Sequence, residues 1–222
     1  RARRGGRAGP VTSPAPPPHD RLRARAAMPR LRQRERKREE RLRTAAAAVP
    51  AGGAIPVVLG RLTGELLPHV ARLHRVRMNT DYGEDYFRCA LLNAPWAKVA
   101  LWDGIVVGAV ICQEVDRAGR CLHVKSIVAS VPRCRIGARL LRAVLAEAES
   151  RGVGRSSLHV HVRNDAALAL YRSVGFVEVE TLPGYYSASA DKLEDPPDAL
   201  LMIRDAHGPG PSAASPATLP AG

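Results

Sequence analysis

The chain has 222 residues, which is enough for one ordinary domain with additional tails. Its formal net charge of +13 is unevenly placed: residues 1–50 carry 15 Lys and Arg against 4 Asp and Glu, whereas the other 172 residues carry 19 against 17. The nearly neutral remainder excludes any inference of nucleic-acid binding by the folded part from overall charge. No apolar run approaches 18 residues, so no transmembrane helix is predicted.

Residues 1–50 are expected to form a basic arm without a core of its own. Residues 1–27 are rich in Arg, Ala, Gly and Pro, and this composition predicts disorder. Residues 28–48 contain helix formers and Glu/Arg pairs at helical spacing, with Leu31 and Leu42 as the only large apolar residues after Met28. Three interpretations stay open: a solvated or disordered arm, an arm that contacts RNA or the ribosome, and an organelle transit peptide.

The first residue is Arg and the first methionine is Met28, so residues 1–27 are interpreted as a fragment edge or an over-extended gene model. No apolar segment of the secretory type begins the chain, and no secretory signal is expected. The four cysteines form no C-x-x-C pair and no Cys/His cluster with zinc spacing, so no metal site is predicted. Cys112 and Cys121 are interpreted as small core residues, and a reducing, cytoplasmic location is expected.

The first half of the predicted domain, which spans residues 51–206, contains two helices and three strands. Thr63 is placed to cap a helix that runs to about Arg77, and an Asp-Gly pair between two β-rich runs predicts a hairpin. In chain order these elements are a strand at 55–60, helices at 63–77 and 81–92, and strands at 96–102 and 105–115.

The second half continues with alternating strands and helices. These are a strand at 121–131, a helix at 133–151, a strand at 156–162, a helix at 165–174 and strands at 176–182 and 198–204. Residues 207–222, rich in Pro, Ala and Ser, are expected to be disordered. The order β-α-α-β-β-β-α-β-α-β-β predicts a mixed α/β sandwich in which the strands at 121–131 and 156–162 are parallel, with a ligand site beyond their carboxyl ends.

The stretch V-P-R-C-R-I-G-A-R-L-L (131–141) lies at the turn between that first parallel strand and the helix that follows it. A phosphate is held at such a turn by backbone N–H groups and by the positive end of the helix dipole. Only one glycine, Gly137, is present, and Arg133, Arg135 and Arg139 are candidate phosphate partners. The residues alone leave open a phosphate cradle or an ordinary strand–helix turn.

Four stretches, together with this element order, resemble the GNAT acetyltransferase superfamily and, within it, the NatE type of N-terminal acetyltransferase, over residues 55–206. They are A-K-V-A-L-W-D-G-I-V-V-G-A-V-I-C (97–112), S-L-H-V-H-V-R-N-D-A-A-L-A-L-Y-R-S-V-G-F (157–176), G-Y-Y-S (184–187) and L-G-R-L-T-G-E-L-L-P-H-V-A-R-L-H (59–74). The resemblance implies a mixed, mostly antiparallel sheet with a splayed parallel strand pair and flanking helices. It also implies acetyl-CoA as cofactor, protein N-termini as substrates, direct attack by the α-amine, and an auxiliary subunit of a ribosome-associated acetyltransferase complex.

Two histidines are candidates for the base that accepts the amine proton. His159 and His161 alternate with apolar residues and therefore face one side of their strand, and His123, Lys125 and Ile127 are expected to share one face of the neighbouring strand. An unperturbed imidazole titrates near pH ~6.5, which suits this role. The resemblance implies that His159 is the catalytic base and that His123 replaces a tyrosine sharing that role; the alternative is that His159 only lines the cleft, and His161 is expected to lie outside the chemistry.

The resemblance implies further site residues. Tyr171 corresponds to the tyrosine beside the CoA sulfur, a proton donor to the thiolate, with a core tyrosine as the alternative. The cofactor-binding set is Ile127, Val128, Ala129, Arg133, Arg135, Ile136, Gly137, Ala138, Asn164 and Tyr171. The peptide-binding set is Met78, Asn79, Thr80, Tyr82, Tyr185 and Tyr186.

Two departures from the family pattern matter. Residues 78–80 stand where the NatE type carries Phe-Pro-Val, so a preference for an initiator methionine is in doubt. When Gly137 is taken as the last glycine of the superfamily pattern Q/R-x-x-G-x-G/A, Arg135 occupies the first glycine position and Pro132 the Q/R position. Two other functions therefore stay open: acetylation of a lysine or small amine, and a catalytically weak binding subunit.

Overall fold

The structure is a computed structural model, and it describes residues 33, 36–37, 40–49, 53–78, 82–93, 95–115, 121–132, 134–186 and 196–206. The predictions for residues 1–27, for the tail 207–222, and for Asn79, Thr80 and Arg133 lie outside the described residues. The chain divides into two compact units, Arg1–Arg41 and Leu42–Gly222. Leu42, assigned above to the arm, is buried in the core of the second unit.

The elements of the second unit follow the predicted order, with boundaries that differ by a few residues. The strands are β1 (Val58–Arg61), β2 (Ala97–Trp102), β3 (Ile105–Glu114), β4 (Cys121–Ala129), β5 (Arg155–His161), β6 (Val177–Leu182) and β7 (Ala199–Asp205). The helices are α1 (Leu67–Met78), α2 (Gly83–Leu92), α3 (Ile136–Ser150) and α4 (Asp165–Ser173).

Two helices begin at least three residues later than the sequence predicts. In α1 the first residue is Leu67 rather than Thr63, because residues 64–66 form a turn in which the Thr63 carbonyl accepts from the N–H groups of Leu66 and Leu67. Pro68 then lies in the first turn of the helix, where its missing N–H is not needed. The α3 helix begins at Ile136 because the preceding Arg135 is in the left-handed conformation.

The seven strands form one sheet in the order β1-β2-β3-β4-β5-β7-β6. Every neighbouring pair is antiparallel except β4 and β5, which are parallel. The predicted mixed sheet is therefore confirmed. The predicted hairpin between β2 and β3 is also confirmed: Asp103 and Gly104 both have positive φ angles, 48° and 73°, as a two-residue type I′ turn requires.

The core lies on both faces of the sheet. On one face, Leu140 and Leu141 of α3 and Leu168 of α4 join a cluster with Val124 and Leu158 of the parallel strands. On the other face, α1 and α2 contribute a second cluster with β2 and β3. A Cβ at Gly108 would lie 2.6 Å from Ile136 Cγ2, so this glycine lets the start of α3 approach β3 closely. The turn that precedes α3 is thereby fixed against the sheet.

The parallel pair separates after only four register pairs, from Cys121 opposite Arg155 to Val124 opposite Leu158. Beyond this point β4 pairs only with β3, and β5 pairs only with β7. Two edges of exposed backbone therefore diverge and leave a V-shaped opening between the carboxyl ends of β4 and β5.

A β-bulge at Lys125 lies at the point where the strands separate. Ile111 pairs with Ser126 and Cys112 with Val124, which leaves Lys125 without a register partner on β3. The bulge reverses the alternation of side chains, so Ile127 packs in the same cluster as Val124. The prediction that Ile127 shares a face with His123 and Lys125 is therefore wrong.

Candidate active site

Two histidines lie close together at the point where β4 and β5 begin to separate. His123 of β4 and His159 of β5 have ring centroids 5.1 Å apart. His123 Nδ1 lies 3.0 Å from Ser157 Oγ, and His159 Nδ1 lies 3.0 Å from Tyr185 Oη. The structure thus brings together the two residues predicted as candidate bases, because the parallel register places them on the same face of adjacent strands.

Burial lowers the pKa of both imidazoles. The pKa of His123 falls to about 4, chiefly through desolvation and secondly through the neighbouring His159 and Lys125. The pKa of His159 is also lowered by desolvation. Both rings are therefore neutral near pH 7 and each has one nitrogen able to accept a proton. A free α-amine has a pKa of roughly 7.7–8.0, so His123 is the more poorly matched base of the two.

Four of the five tyrosines of the chain form two close pairs. Tyr82 and Tyr86 of α2 have ring centroids 4.5 Å apart, and Tyr185 and Tyr186, which follow β6, have centroids 5.0 Å apart. The ring centroids of Tyr185 and His159 are 4.6 Å apart, and the Lys125 ammonium lies over the ring of Tyr86. The second pair therefore adjoins His159, and the first adjoins β4 two residues after His123.

Tyr171 of α4 is the most buried of these tyrosines. Only 7% of its surface is exposed, and its ring packs edge-on against Phe176 with centroids 6.0 Å apart. Burial, followed by the nearby Tyr186, Cys112 and Tyr82, raises the pKa of Tyr171 far above its ordinary value. The phenol therefore stays protonated at neutral pH and can only donate its proton transiently. Tyr171 is a core residue and at the same time suited to a donor role.

The predicted peptide-binding residues come together only in part. Tyr82 Oη lies 3.7 Å from Met78 Sδ, so these two residues line one wall together. On the opposite side His161 packs near Tyr186, with centroids 5.6 Å apart, and burial raises the pKa of Tyr186 to about 12. The ring of His161, predicted to lie outside the chemistry, accepts a hydrogen bond from the Arg163 N–H at 3.1 Å.

The turn before α3 places a non-glycine residue, Arg135, in the left-handed backbone conformation that glycine adopts most easily. Arg135 has a φ of 55° and makes no side-chain cap to α3. This left-handed conformation costs a residue with a Cβ roughly 1–2 kcal/mol, and it is where the superfamily pattern has glycine. Ile136, Gly137 and Ala138 form the first turn of α3, whose N–H groups have no partner within the helix. A Cβ at Gly137 would lie 3.2 Å from Leu170, so larger residues would disturb the contact with α4.

Arg139 is tied to the protein's own backbone. Its guanidinium donates to the carbonyl of Ile55 at 3.2 Å and to that of Val57 at 2.8 Å. These two bonds hold the segment before β1, and the role of Arg139 as a phosphate partner stays a prediction for its remaining N–H donors. Arg135 is exposed, and its guanidinium remains a candidate for that role.

Asn164 caps α4. Its Oδ1 accepts a hydrogen bond from the Ala167 N–H at 3.1 Å. Its role toward the pantetheine arm stays a prediction.

One buried polar group was missed at the sequence level. His74 of α1 is completely buried, with Nδ1 2.9 Å from the Val70 carbonyl and Nε2 2.9 Å from Ser126 Oγ. Tyr86 Oη lies 2.7 Å from the same Ser126 Oγ. The available signal was a histidine on the apolar face of α1, four residues after Val70.

The described residues contain neither a metal-binding cluster nor a membrane-spanning helix. No group of three or more His, Cys, Asp and Glu side chains there is arranged to hold a metal ion. No helix in the same part of the chain is long and apolar enough to cross a membrane.

The sequence profile described as the acetyltransferase (GNAT) family matches residues 64–176, more than half of the chain. The chain belongs to the GNAT acetyltransferase family. It is 30% identical over 157 residues to N-alpha-acetyltransferase 50 of Danio rerio, a match that covers 69% of this chain and 90% of the relative.

Solved GNAT structures share the fold. The structure of Arabidopsis thaliana Naa50 in complex with the bisubstrate analogue CoA-Ac-MVNAL has a TM-score of 0.60 and 24% identity, covering 68% of this chain and 99% of that one. The ribosomal-protein-S18-alanine N-acetyltransferase from Escherichia coli has a TM-score of 0.58 and 25% identity, covering 68% and 94%. The GNAT fold implied by the sequence resemblance is thus confirmed, and the protein is an acetyltransferase by family.

Proposed function

We propose that this GNAT protein is an N-α-acetyltransferase that moves the acetyl group of acetyl-CoA to the N-terminal amine of protein substrates. The observation that carries the proposal is the pair of neutral imidazoles, His123 and His159, at the point where β4 and β5 begin to separate. Tyr185 packs against His159, and the buried phenol of Tyr171 comes from α4. The relatives named N-alpha-acetyltransferase support the substrate class.

The residues present fit acetyl-CoA. Backbone groups of β4 that face away from β3 have no strand beside them beyond Val124, so the main chain at Ile127–Ala129 is open to hydrogen bonding with an amide-bearing arm. The first turn of α3 contains no acidic side chain that would repel a pyrophosphate. Arg133, Arg135, the first-turn N–H groups of α3 and Asn164 complete the proposed binding set. When bound, acetyl-CoA supplies an activated thioester.

His159 is the proposed base. A neutral imidazole carries one N–H, so its tautomer decides which nitrogen is basic. When His159 Nδ1–H donates to Tyr185 Oη, Nε2 is free to accept the proton of the substrate amine, directly or through one water. Tyr185 then orients the imidazole of His159. His123, held by Ser157, is neutral and therefore adds no second positive charge beside the amine.

Tyr171 is the proposed donor to the departing thiolate. Its phenol is protonated over the whole physiological pH range because burial raises its pKa. A protonated donor near the leaving sulfur lowers the cost of charge that develops there. The peptide N-terminus is proposed to lie between Tyr82 and Met78 on one side and Tyr185 and Tyr186 on the other.

The test compares two peptides that differ only at the N-terminus. The first has a free α-amine and an internal lysine, and the second has the same sequence with the α-amine blocked. Each is incubated with the protein and acetyl-CoA, and the product is mapped by tandem mass spectrometry. The proposal predicts acetylation of the first peptide at its α-amine alone. Acetylation of lysine in both peptides would favour the alternative of a lysine or small-amine acetyltransferase.

One observation favours a second candidate, a catalytically weak binding subunit. Arg139 is occupied by backbone carbonyls, and Arg135 occupies a position that favours glycine, so the turn has fewer means of holding a pyrophosphate. Absence of acetyl-CoA binding below millimolar, together with no turnover of either peptide, would support this candidate. An auxiliary subunit, a contact of the basic arm with RNA or the ribosome, and a cytoplasmic location stay predictions.

A further inference from the structure

A buried chain of hydrogen bonds fixes the wall formed by α2. The Val70 carbonyl can only accept, so His74 Nδ1 carries the proton of that bond. Burial lowers the pKa of His74, so the ring is neutral and Nε2 accepts from the Ser126 hydroxyl. Ser126 Oγ in turn accepts from Tyr86 Oη. The donor and the acceptor of each hydrogen bond in this chain are thus defined. Together these bonds hold the Tyr86 ring in place through Ser126 of β4 and His74 of α1.

Lys125 uses that fixed ring as a platform. Its Nζ lies 5.4 Å from the centroid of the Tyr86 ring and 3.4 Å from Gln113 Oε1. The side chain is exposed, and no carboxylate among the described residues forms an ion pair with it. The ring face stabilises the cation without neutralising it.

Lys125 places a positive charge next to the opening between β4 and β5. It is the bulge residue at the point where β4 and β5 separate, two residues after His123. Its charge acts on His123 on one side, and its ammonium contacts Tyr86 on the other. Tyr86 is stacked on Tyr82, which belongs to the proposed peptide wall. A peptide lying between Tyr82 and the histidines passes this ammonium.

We propose that Lys125 is a specificity-determining residue that favours substrates with an aspartate or glutamate among their first residues. The inference rests on the proposed function, since it names the peptide class that the same groove selects. A substrate carboxylate gives Lys125 the ion pair that no carboxylate in the described part of the chain provides, and a cation at that place disfavours basic side chains.

The test uses matched peptide pairs, Asp against Asn and Glu against Gln, placed in turn at the first three positions of a neutral peptide. The ratio of kcat/KM for the acidic over the amide peptide is measured at low ionic strength for the wild type and for Lys125→Met and Lys125→Glu. At one position at least, the wild type is expected to prefer the acid about fivefold, the scale of an exposed ion pair. The ratio should fall to about one in Lys125→Met and below one in Lys125→Glu.

Two control variants separate the local charge from general effects. Arg142 is an exposed residue of α3, on the opposite face of the sheet, and Arg142→Met removes one positive charge while leaving the preference intact. Tyr86→Phe keeps the ring but loses the hydrogen bond to Ser126, so it should reduce the preference less than Tyr86→Leu, which removes the ring itself. Raising the ionic strength should lower the wild-type ratio because exposed charges are screened.

The outcomes distinguish this inference from the proposed function. Equal rates for acid and amide peptides at all three positions would overturn the inference and leave N-terminal acetylation intact. A preference that survives in Lys125→Glu would overturn it as well, since another residue would then read the charge. Acetylation of no peptide at all would contradict the proposed function and the inference together.

Discussion

The ring of His159 is joined to Tyr185 by a hydrogen bond of 3.0 Å between Nδ1 and Oη, and the two rings have centroids 4.6 Å apart. Tyr185 belongs to the segment after β6 and His159 to β5, so this contact links the two elements. In the tautomer whose Nδ1–H donates to Tyr185 Oη, Nε2 is the basic nitrogen, and this gives the first prediction.

Replacing His159 by Ala should lower kcat by about 10²–10⁴-fold with little change in acetyl-CoA binding, because the proton acceptor is lost. Replacing Tyr185 by Phe should have a smaller effect, since it removes the orienting hydrogen bond and keeps the ring. Steady-state kinetics with a free-amine peptide measure both. A fall of only twofold in His159→Ala, with acetyl-CoA binding intact, would rule out its role as the base.

The stability of the protein should fall as the pH decreases from 6.5 to 5. His74, His123 and His159 have folded-state pKa values below the ordinary 6.5, so the unfolded chain binds more protons than the folded one in this range. The protonation of carboxylates affects the free energy of unfolding only at lower pH. For example, Lys98 and Arg151 lower the pKa of Glu147 to about 2.

Urea denaturation at pH 7, 6 and 5 tests this expectation. The free energy of unfolding should be highest at pH 7 and decrease at each step, and His123→Asn should reduce the dependence. Equal midpoints at pH 7 and pH 5 would show that these histidines are not held neutral by burial.

Replacing Arg135 by Gly should raise the free energy of unfolding by about 1 kcal/mol, because the left-handed conformation disfavours a residue with a Cβ. The same change should weaken acetyl-CoA binding several-fold when the guanidinium contacts the pyrophosphate. Arg135→Ala is the matched control: it removes the charge and keeps the strain, so it should lose affinity without gaining stability. Unchanged affinity in both variants would remove Arg135 from the proposed binding set.

Replacing Gly108 by Ala should destabilise the protein by about 1–3 kcal/mol. The added Cβ would lie 2.6 Å from Ile136 Cγ2 and 3.1 Å from the Val128 carbonyl oxygen, and the backbone atom cannot move aside at low cost. Gly154 has no atom within 4 Å of an added Cβ and serves as the control. Chemical denaturation of both variants measures the difference, and equal stability would mean that α3 can shift away from β3.

The element order and the meeting of the two histidines could be predicted because both depend on local patterns. The Asp103-Gly104 turn has a known conformational demand, and alternating residues on parallel strands must face the same side. The family resemblance then supplied the roles that the pattern alone left open.

The bulge at Lys125 and the contacts of Arg139 could not be predicted in the same way. The bulge depends on the register between β3 and β4, which no single residue type determines. Arg139 donates to carbonyls that lie 84 and 82 positions earlier in the chain, and a long basic side chain in a turn resembles a phosphate ligand equally well. The His74 network combines residues of three elements, so only the folded chain places its members together.

Calorimetric titration of the wild-type protein with acetyl-CoA tests the central claim most directly, because every proposed step needs the cofactor in the opening between β4 and β5. We expect acetyl-CoA to bind saturably in the micromolar range at one site per chain, and we expect Arg135→Ala to weaken this binding. Absence of binding below millimolar acetyl-CoA would contradict it.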